Sequence, residues 1–196
     1  ANTEIILDNN LRLIEAQGHI QGEVITANKT PFQYLRSDLQ WINKRFIANT
    51  ILRINQRKSS INTDFDAESG NYIFTLNGST FSSDFNSIFP KWWQNTFKDF
   101  SYTNNTKCFH DFAFYGTSES PIPDYFMGSV HTENIEYKSV PVKYGDVLVK
   151  GKNYCTEFLL SNGQYKDYQE SQGLNYEITS FTQALESIEI ESKQLQ

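Results

Sequence analysis

No stretch of this chain approaches the roughly 18 consecutive apolar residues of a membrane-spanning helix, so no such helix is expected. Basic residues are in the minority: 17 Lys and Arg face 23 Asp and Glu, a net charge of −6. That balance excludes nucleic acid as an expected partner, because phosphate contacts need a clustered basic face. The one basic cluster, Arg53, Arg57 and Lys58, lies among polar residues and reads as a solvated strand end. Methionine is nearly absent, with Met127 alone, and the sequence opens Ala1-Asn2-Thr3, which suits a cleaved signal peptide. There are only two cysteines. Cys108 and Cys155 fit one disulfide, which oxidising compartments favour, with inert buried thiols as the alternative. The expectation is an extracytoplasmic protein, secreted or periplasmic. Three sequons (at Asn28, Asn77 and Asn104) would matter only in a eukaryotic secretory path.

The usual chemical fingerprints are missing too. Neither G-x-x-x-x-G-K-[ST] nor G-x-G-x-x-G occurs, so nucleotide phosphates have no cradle and no cofactor is expected. Gly116-Thr117-Ser118-Glu119-Ser120 departs from the hydrolase elbow at its last position, and Pro121 and Pro123 follow where a helix should start. Asp64-x-Asp66-x-Glu68 imitates a calcium loop, but Gly70 comes one place late and Thr75 stands where a bidentate Glu is needed. The three histidines show no helical i, i+4 pair, so no metal site is expected.

Aromatic side chains are plentiful: 15 Phe, 11 Tyr and 3 Trp in 196 residues. Each can bury on the order of 150–250 Å², enough to supply the core of one domain spanning 1–196. Residues 1–29 alternate like a β extension. Thr30-Pro31 then looks like a helix start, with Phe32, Leu35, Leu39, Ile42 and Phe46 at three- and four-residue spacings. A second helix opens at Ser83-Asp84 and carries Phe85 to Phe100, with a break expected at Phe89 because Pro90 follows. From Lys107 onward the pattern is strand, and Ser161-Asn162-Gly163 is the strongest hairpin signal. A capping box from Ser180 to Gln183 starts a last helix, and 190–196 should fray. The expected class is α+β, a curved and mostly antiparallel sheet with helices packed on one face.

That element order resembles the cone-shaped NTF2-like (SnoaL-like) superfamily. The closest stretch is Tyr144 to Glu170, where Val147-Leu148-Val149 precedes Glu157-Phe158-Leu159-Leu160-Ser161-Asn162-Gly163-Gln164-Tyr165. It is similar to the family's late strand, hairpin and final strand; residues 1–29 have no counterpart there. The resemblance implies an aromatic-lined pocket between sheet and helices, with His110 and Asp111 as the nearest polar groups.

In Lys107-Cys108-Phe109-His110-Asp111, strand geometry puts Cys108 and His110 on one face and Asp111 on the other. Same-face neighbours stand about 7 Å apart, too far for a Cys–His nucleophile pair. Trp92 and Trp93 point about 100° apart on a helix, so both cannot be central to one buried face. Tyr102, Tyr115 and Tyr125 fall near loops, where amphipathic rings commonly meet ligands. Trp92, Trp93, Tyr102, Tyr115 and Tyr125 are therefore the candidate ligand-binding residues. Together these features point to a binding or interaction domain for a small apolar or aromatic ligand, or for a protein partner. The alternatives are a cofactor-free isomerase, dehydratase or hydrolase using His110, with Asp111 as its candidate helper, and an inhibitor or immunity-type protein.

Overall fold

The computed structural model describes residues 2–7, 13–120, 122–152 and 155–165. The expected last helix from Ser180 and the tail at 190–196 lie outside these residues. Ten strands form one open sheet in strict sequence order, each antiparallel to its neighbours. They are β1 Asn2–Leu7, β2 Leu13–Ala27, β3 Thr30–Ile42, β4 Arg45–Ile54, β5 Arg57–Asp66, β6 Asn71–Gly78, β7 Phe100–Thr117, β8 Tyr125–Tyr137, β9 Val140–Lys152 and β10 Cys155–Tyr165. The only α-helix among the described residues, α1 Lys91–Phe97, has seven residues. The α+β expectation is thus overturned: this is a mostly-β domain.

The helix expected from Thr30 to Ile47 is instead β3, a turn and the start of β4. Two-residue turns decide this. Asn28-Lys29, Asn43-Lys44, Asn55-Gln56 and Lys138-Ser139 each place both residues at positive φ, between 47° and 69°. That is the type I′ pattern, whose twist matches the flanking strands of a hairpin. Asn43-Lys44 falls inside the supposed helix and folds it in half. The Ser161-Asn162-Gly163 signal, by contrast, lies within β10, where the register shifts between Leu160 and Asn162. The extra residue is absorbed as a bulge rather than a turn.

Alternation divides the sheet into an inner and an outer face. Leu76, Phe112, Gly128, Val149 and Phe158 stand directly opposite one another across β6–β10 on the inner face. Residues 79–99, linking β6 to β7, cross that face as a 3₁₀ turn (Ser82–Phe85) followed by α1. Pro90 caps α1, so the break expected at Phe89 is present. Phe85, Trp93 and Phe97 project onto the sheet and are buried against Leu76, Phe112, Phe114 and Phe126. Asp84 anchors the segment, accepting hydrogen bonds from Arg57 (2.8 Å) and from the Phe81 N–H (2.8 Å). The Arg57 guanidinium also lies 3.8 Å above the Phe81 ring, which stacks on Tyr102 at 4.4 Å.

Inner-face aromatics fold over glycines on the next strand. Phe112 is opposite Gly128, Phe126 opposite Gly151 and Tyr72 opposite Gly116. A Cβ at Gly151 would sit 1.8 Å from Phe126, and one at Gly128 would sit 2.3 Å from Phe112. The missing side chains let the rings lie along the sheet.

The expected disulfide does not form. Cys108 and Cys155 are both free thiols. Cys108 is in line, strand by strand, with Thr132, Gly145 and Gly163, whereas Cys155 pairs with Lys152 at the other end of β10. Three strand spacings and eight residues of strand separate them, roughly 14 Å one way and 27 Å the other. A disulfide needs Cα atoms within about 7 Å. The pairing therefore no longer argues for an oxidising compartment.

Candidate functional site: an apolar cavity under the crossing segment

Between residues 79–99 and strands β6–β10 the packing leaves a cavity of about 50 Å³. Its wall is almost wholly apolar, with Leu76, Phe97, Phe100, Phe112, Val147 and Phe158 among its residues. Ser82, Tyr102, Cys108, His110 and Thr132 supply the polar atoms. Most of these are occupied. The Tyr102 and Ser82 hydroxyls share a 2.6 Å hydrogen bond, and the Thr132 hydroxyl donates to the Lys107 carbonyl at 3.1 Å.

His110 is the exception. Its side chain is buried, and Nε2–H donates to the Thr80 carbonyl at 2.9 Å. That bond fixes the tautomer and leaves Nδ1 as a bare acceptor. Among the described residues, only His110 Nδ1 and Trp41 Nε1 are buried side-chain nitrogens or oxygens without a hydrogen-bond partner. Burial depresses the His110 pKa below the ordinary value near 6.5, against the opposing pull of the Leu76 and Thr80 carbonyls. The unfolded chain therefore takes up a proton near pH 6.5 that the folded chain refuses. Stability tied to His110 is complete above that pH and is lost as pH falls below it, at up to about 1.4 kcal/mol per unit. Urea midpoints at pH 7.5 and 5.5 check this: His110→Gln should lose about 1 kcal/mol less than wild type on acidification. Equal losses would contradict a buried neutral imidazole.

Cys108 lies two residues away on the same face. Burial pushes its thiol up to about 12, with Asp84 adding to the rise and Arg57 opposing it. It therefore stays protonated at neutral pH and is a poor nucleophile. Asp111 projects from the outer face and is exposed, so it cannot assist His110 directly. Trp93 and Tyr102 line the cavity. Trp92 is half-buried and packs beside Phe114 and Phe126 rather than on the cavity wall. Tyr115 and Tyr125 lie on the opposite, outer face, where their rings approach to 6.1 Å. The structure therefore brings two of the five candidate aromatics to the cavity and sends two to the other side of the sheet.

Sequence reasoning passed over Val147, Phe158 and Phe97 as site residues. The alternation of Val147 with Val149 on β9 carried the signal for the first. Asp64 and Asp66, of the calcium-like stretch, have protein partners: Arg45 grips Asp64 through two 2.6 Å bonds, and Asp66 accepts from the Glu68 N–H and the Ser69 hydroxyl. No three His, Cys, Asp or Glu side chains converge as a metal site among the described residues. Comparisons with family models, curated proteins and solved structures found no match, and none bears on the resemblance read from 144–170.

Proposed function

We propose that this domain is a binding module for a small, largely apolar ligand carrying one hydrogen-bond donor. The observation that carries the reading is a buried acceptor without a partner, His110 Nδ1, in a residue that lines an otherwise apolar cavity. Apolar walls supply affinity by excluding water, and one placed polar atom supplies orientation. Leaving that acceptor unmatched costs about 1–3 kcal/mol, which a donor in the ligand would recover. The size of the cavity limits the occupant. One water needs roughly 10–15 Å³ on this measure, whereas a 150 Å³ cavity takes benzene. At about 50 Å³, the site suits a group of a few heavy atoms, free or at the end of a longer molecule. A catalytic reading has less support, since Asp111 faces away from His110 and Cys108 is held as a thiol.

Two probes of nearly equal shape, 2-propanol and acetone, test this reading, because only the alcohol donates. Amide NMR titrations should show 2-propanol shifting residues of β7–β9 around His110 at least several-fold more tightly than acetone. His110→Phe should abolish the preference. Equal response to both probes, or none at the cavity, overturns the reading.

A further inference from the structure

Outer-face side chains surround a second concavity, separate from the buried one. It lies beside the turn that joins β5 to β6 and encloses about 490 Å³. That is within the roughly 300–1,000 Å³ of small-molecule sites. Sequence features that looked unrelated meet there: Asp64 and Asp66 of the calcium-like stretch, Gly116 of the elbow-like stretch and Tyr115 all line the cleft. Ile73 and Tyr115 stand directly opposite each other on β6 and β7, with Tyr125 next in line on β8. They are 43% and 39% exposed, an apolar floor left open to solvent. The rim is polar and fixed. Arg45 holds Asp64 through Nε and Nη2 at 2.6 Å each, which leaves its Nη1 donors available. Asp66 accepts from the Glu68 N–H at 2.9 Å and from the Ser69 hydroxyl at 2.8 Å, one bond to each carboxylate oxygen, so each keeps a further acceptor site. The turn is tied on both sides: Ala67 N–H donates to the Lys44 carbonyl and Ser118 N–H to the Gly70 carbonyl, both at 2.8 Å. These groups are ordered before a ligand arrives, which removes part of the cost of binding one.

We propose that this cleft binds a neutral polyhydroxyl ligand, a carbohydrate. The combination of floor and rim selects that class. The C–H face of a sugar ring is apolar and packs on the Tyr115 ring, while its hydroxyls both donate and accept. They therefore match a rim that offers carboxylate acceptors and guanidinium donors side by side, and hydrogen bonds to such charged groups are the stronger kind. A purely apolar ligand would leave those groups unmatched. An anion is opposed by Asp64, Asp66 and Asp124 against the single cation Arg45. A metal ion needs several ligands turned to one point, and no such grouping exists among the described residues. An organic cation would be drawn by the same surplus of negative charge, but its binding would weaken with salt, whereas that of a neutral sugar would not. The site stands on the side of the sheet away from the crossing segment and is independent of the apolar cavity.

The test titrates the full chain with cellobiose, maltose, lactose and diacetylchitobiose, following backbone amides by NMR. At least one disaccharide should shift Asn71, Ile73 and Tyr115 saturably, with the same Kd at about 0.02 and 0.3 M NaCl. Tyr115→Ala removes the floor and should weaken that sugar about tenfold or more, as loss of a central aromatic contact does. Arg45→Met removes the donors and should weaken it about fivefold or more. Both positions are on the outer face, so the circular dichroism of each variant should match wild type. Putrescine is the cationic control. If it shifts the same amides with a salt-dependent Kd while no disaccharide binds, the proposal is overturned. Failure of all four sugars to move these amides overturns it as well, and so does a sugar that binds wild type and both variants equally.

Discussion

Replacing Trp93 with alanine should destabilise the domain by about 3–5 kcal/mol, among the largest losses expected from a single side chain here. Trp93 is 1% exposed, and its ring meets Phe85, Phe89, Phe97 and Phe114 at centroid distances between 4.6 and 6.1 Å. It joins both halves of the crossing segment to the sheet. Its indole N–H also donates to the Ser82 carbonyl at 2.8 Å, tying α1 to the preceding turn. The truncation therefore opens a void and leaves a carbonyl without its donor, two costs that compound. Total stability for a domain of this size is about 5–15 kcal/mol, so the variant should sit near the edge of folding. Urea unfolding followed by circular dichroism measures the loss. Trp92→Ala, at a half-buried neighbour, is the internal comparison and should cost clearly less. Equal costs would mean that the sheet and crossing segment do not pack as described.

Gly151→Ala should destabilise by about 1–3 kcal/mol, although the same change in an ordinary strand is stabilising. The sign is reversed by Phe126, whose ring occupies the volume that a Cβ at 151 would enter, 1.8 Å from its nearest atom. The clash is with the body of a buried ring in the core, so it cannot be relieved by swinging a flexible end aside. A double-mutant cycle isolates the cause. Phe126→Ala alone should cost about 3–5 kcal/mol, and the combined variant should be more stable than the two losses added, by about 1 kcal/mol or more. Strict additivity would show that the glycine is not there to accommodate the ring.

Some of this was legible in the residues. The strand character after Lys107, the break before Pro90 and the placement of Cys108 and His110 on one face all follow from local chemistry and period-two geometry. The helix expected at Thr30 failed for an identifiable reason. Phe32 and Leu35 both face the core, so the alternation skips once and a three-residue spacing appears inside a strand. Val24 on the adjacent β2, with φ of 52°, marks the distortion that permits it. The type I′ turns were hidden because lysine or glutamine follows asparagine in three of them, where glycine is the familiar partner, and the fourth is Lys138-Ser139. At Asn28 the same residues also spell a sequon. The unpartnered nitrogen of His110 had no sequence signal. It exists because Thr80 on the crossing segment takes one ring nitrogen and nothing within hydrogen-bond reach takes the other, a fact of three dimensions alone.

Each strand in this sheet pairs only with the strands before and after it in the chain. Every ladder can therefore close as soon as its two segments exist, without waiting for distant sequence to arrive. That is a low-contact-order arrangement, in which β structure can zip hairpin by hairpin. It is also, to first order, a one-dimensional object, as in repeat proteins where stability is a sum over neighbours. The unit of change in such a molecule is the hairpin. Shortening or lengthening the sheet at its β1 end, far from the crossing segment, leaves the wiring of the remaining strands intact, so the width of the sheet is free to vary while the cavity under residues 79–99 keeps its walls.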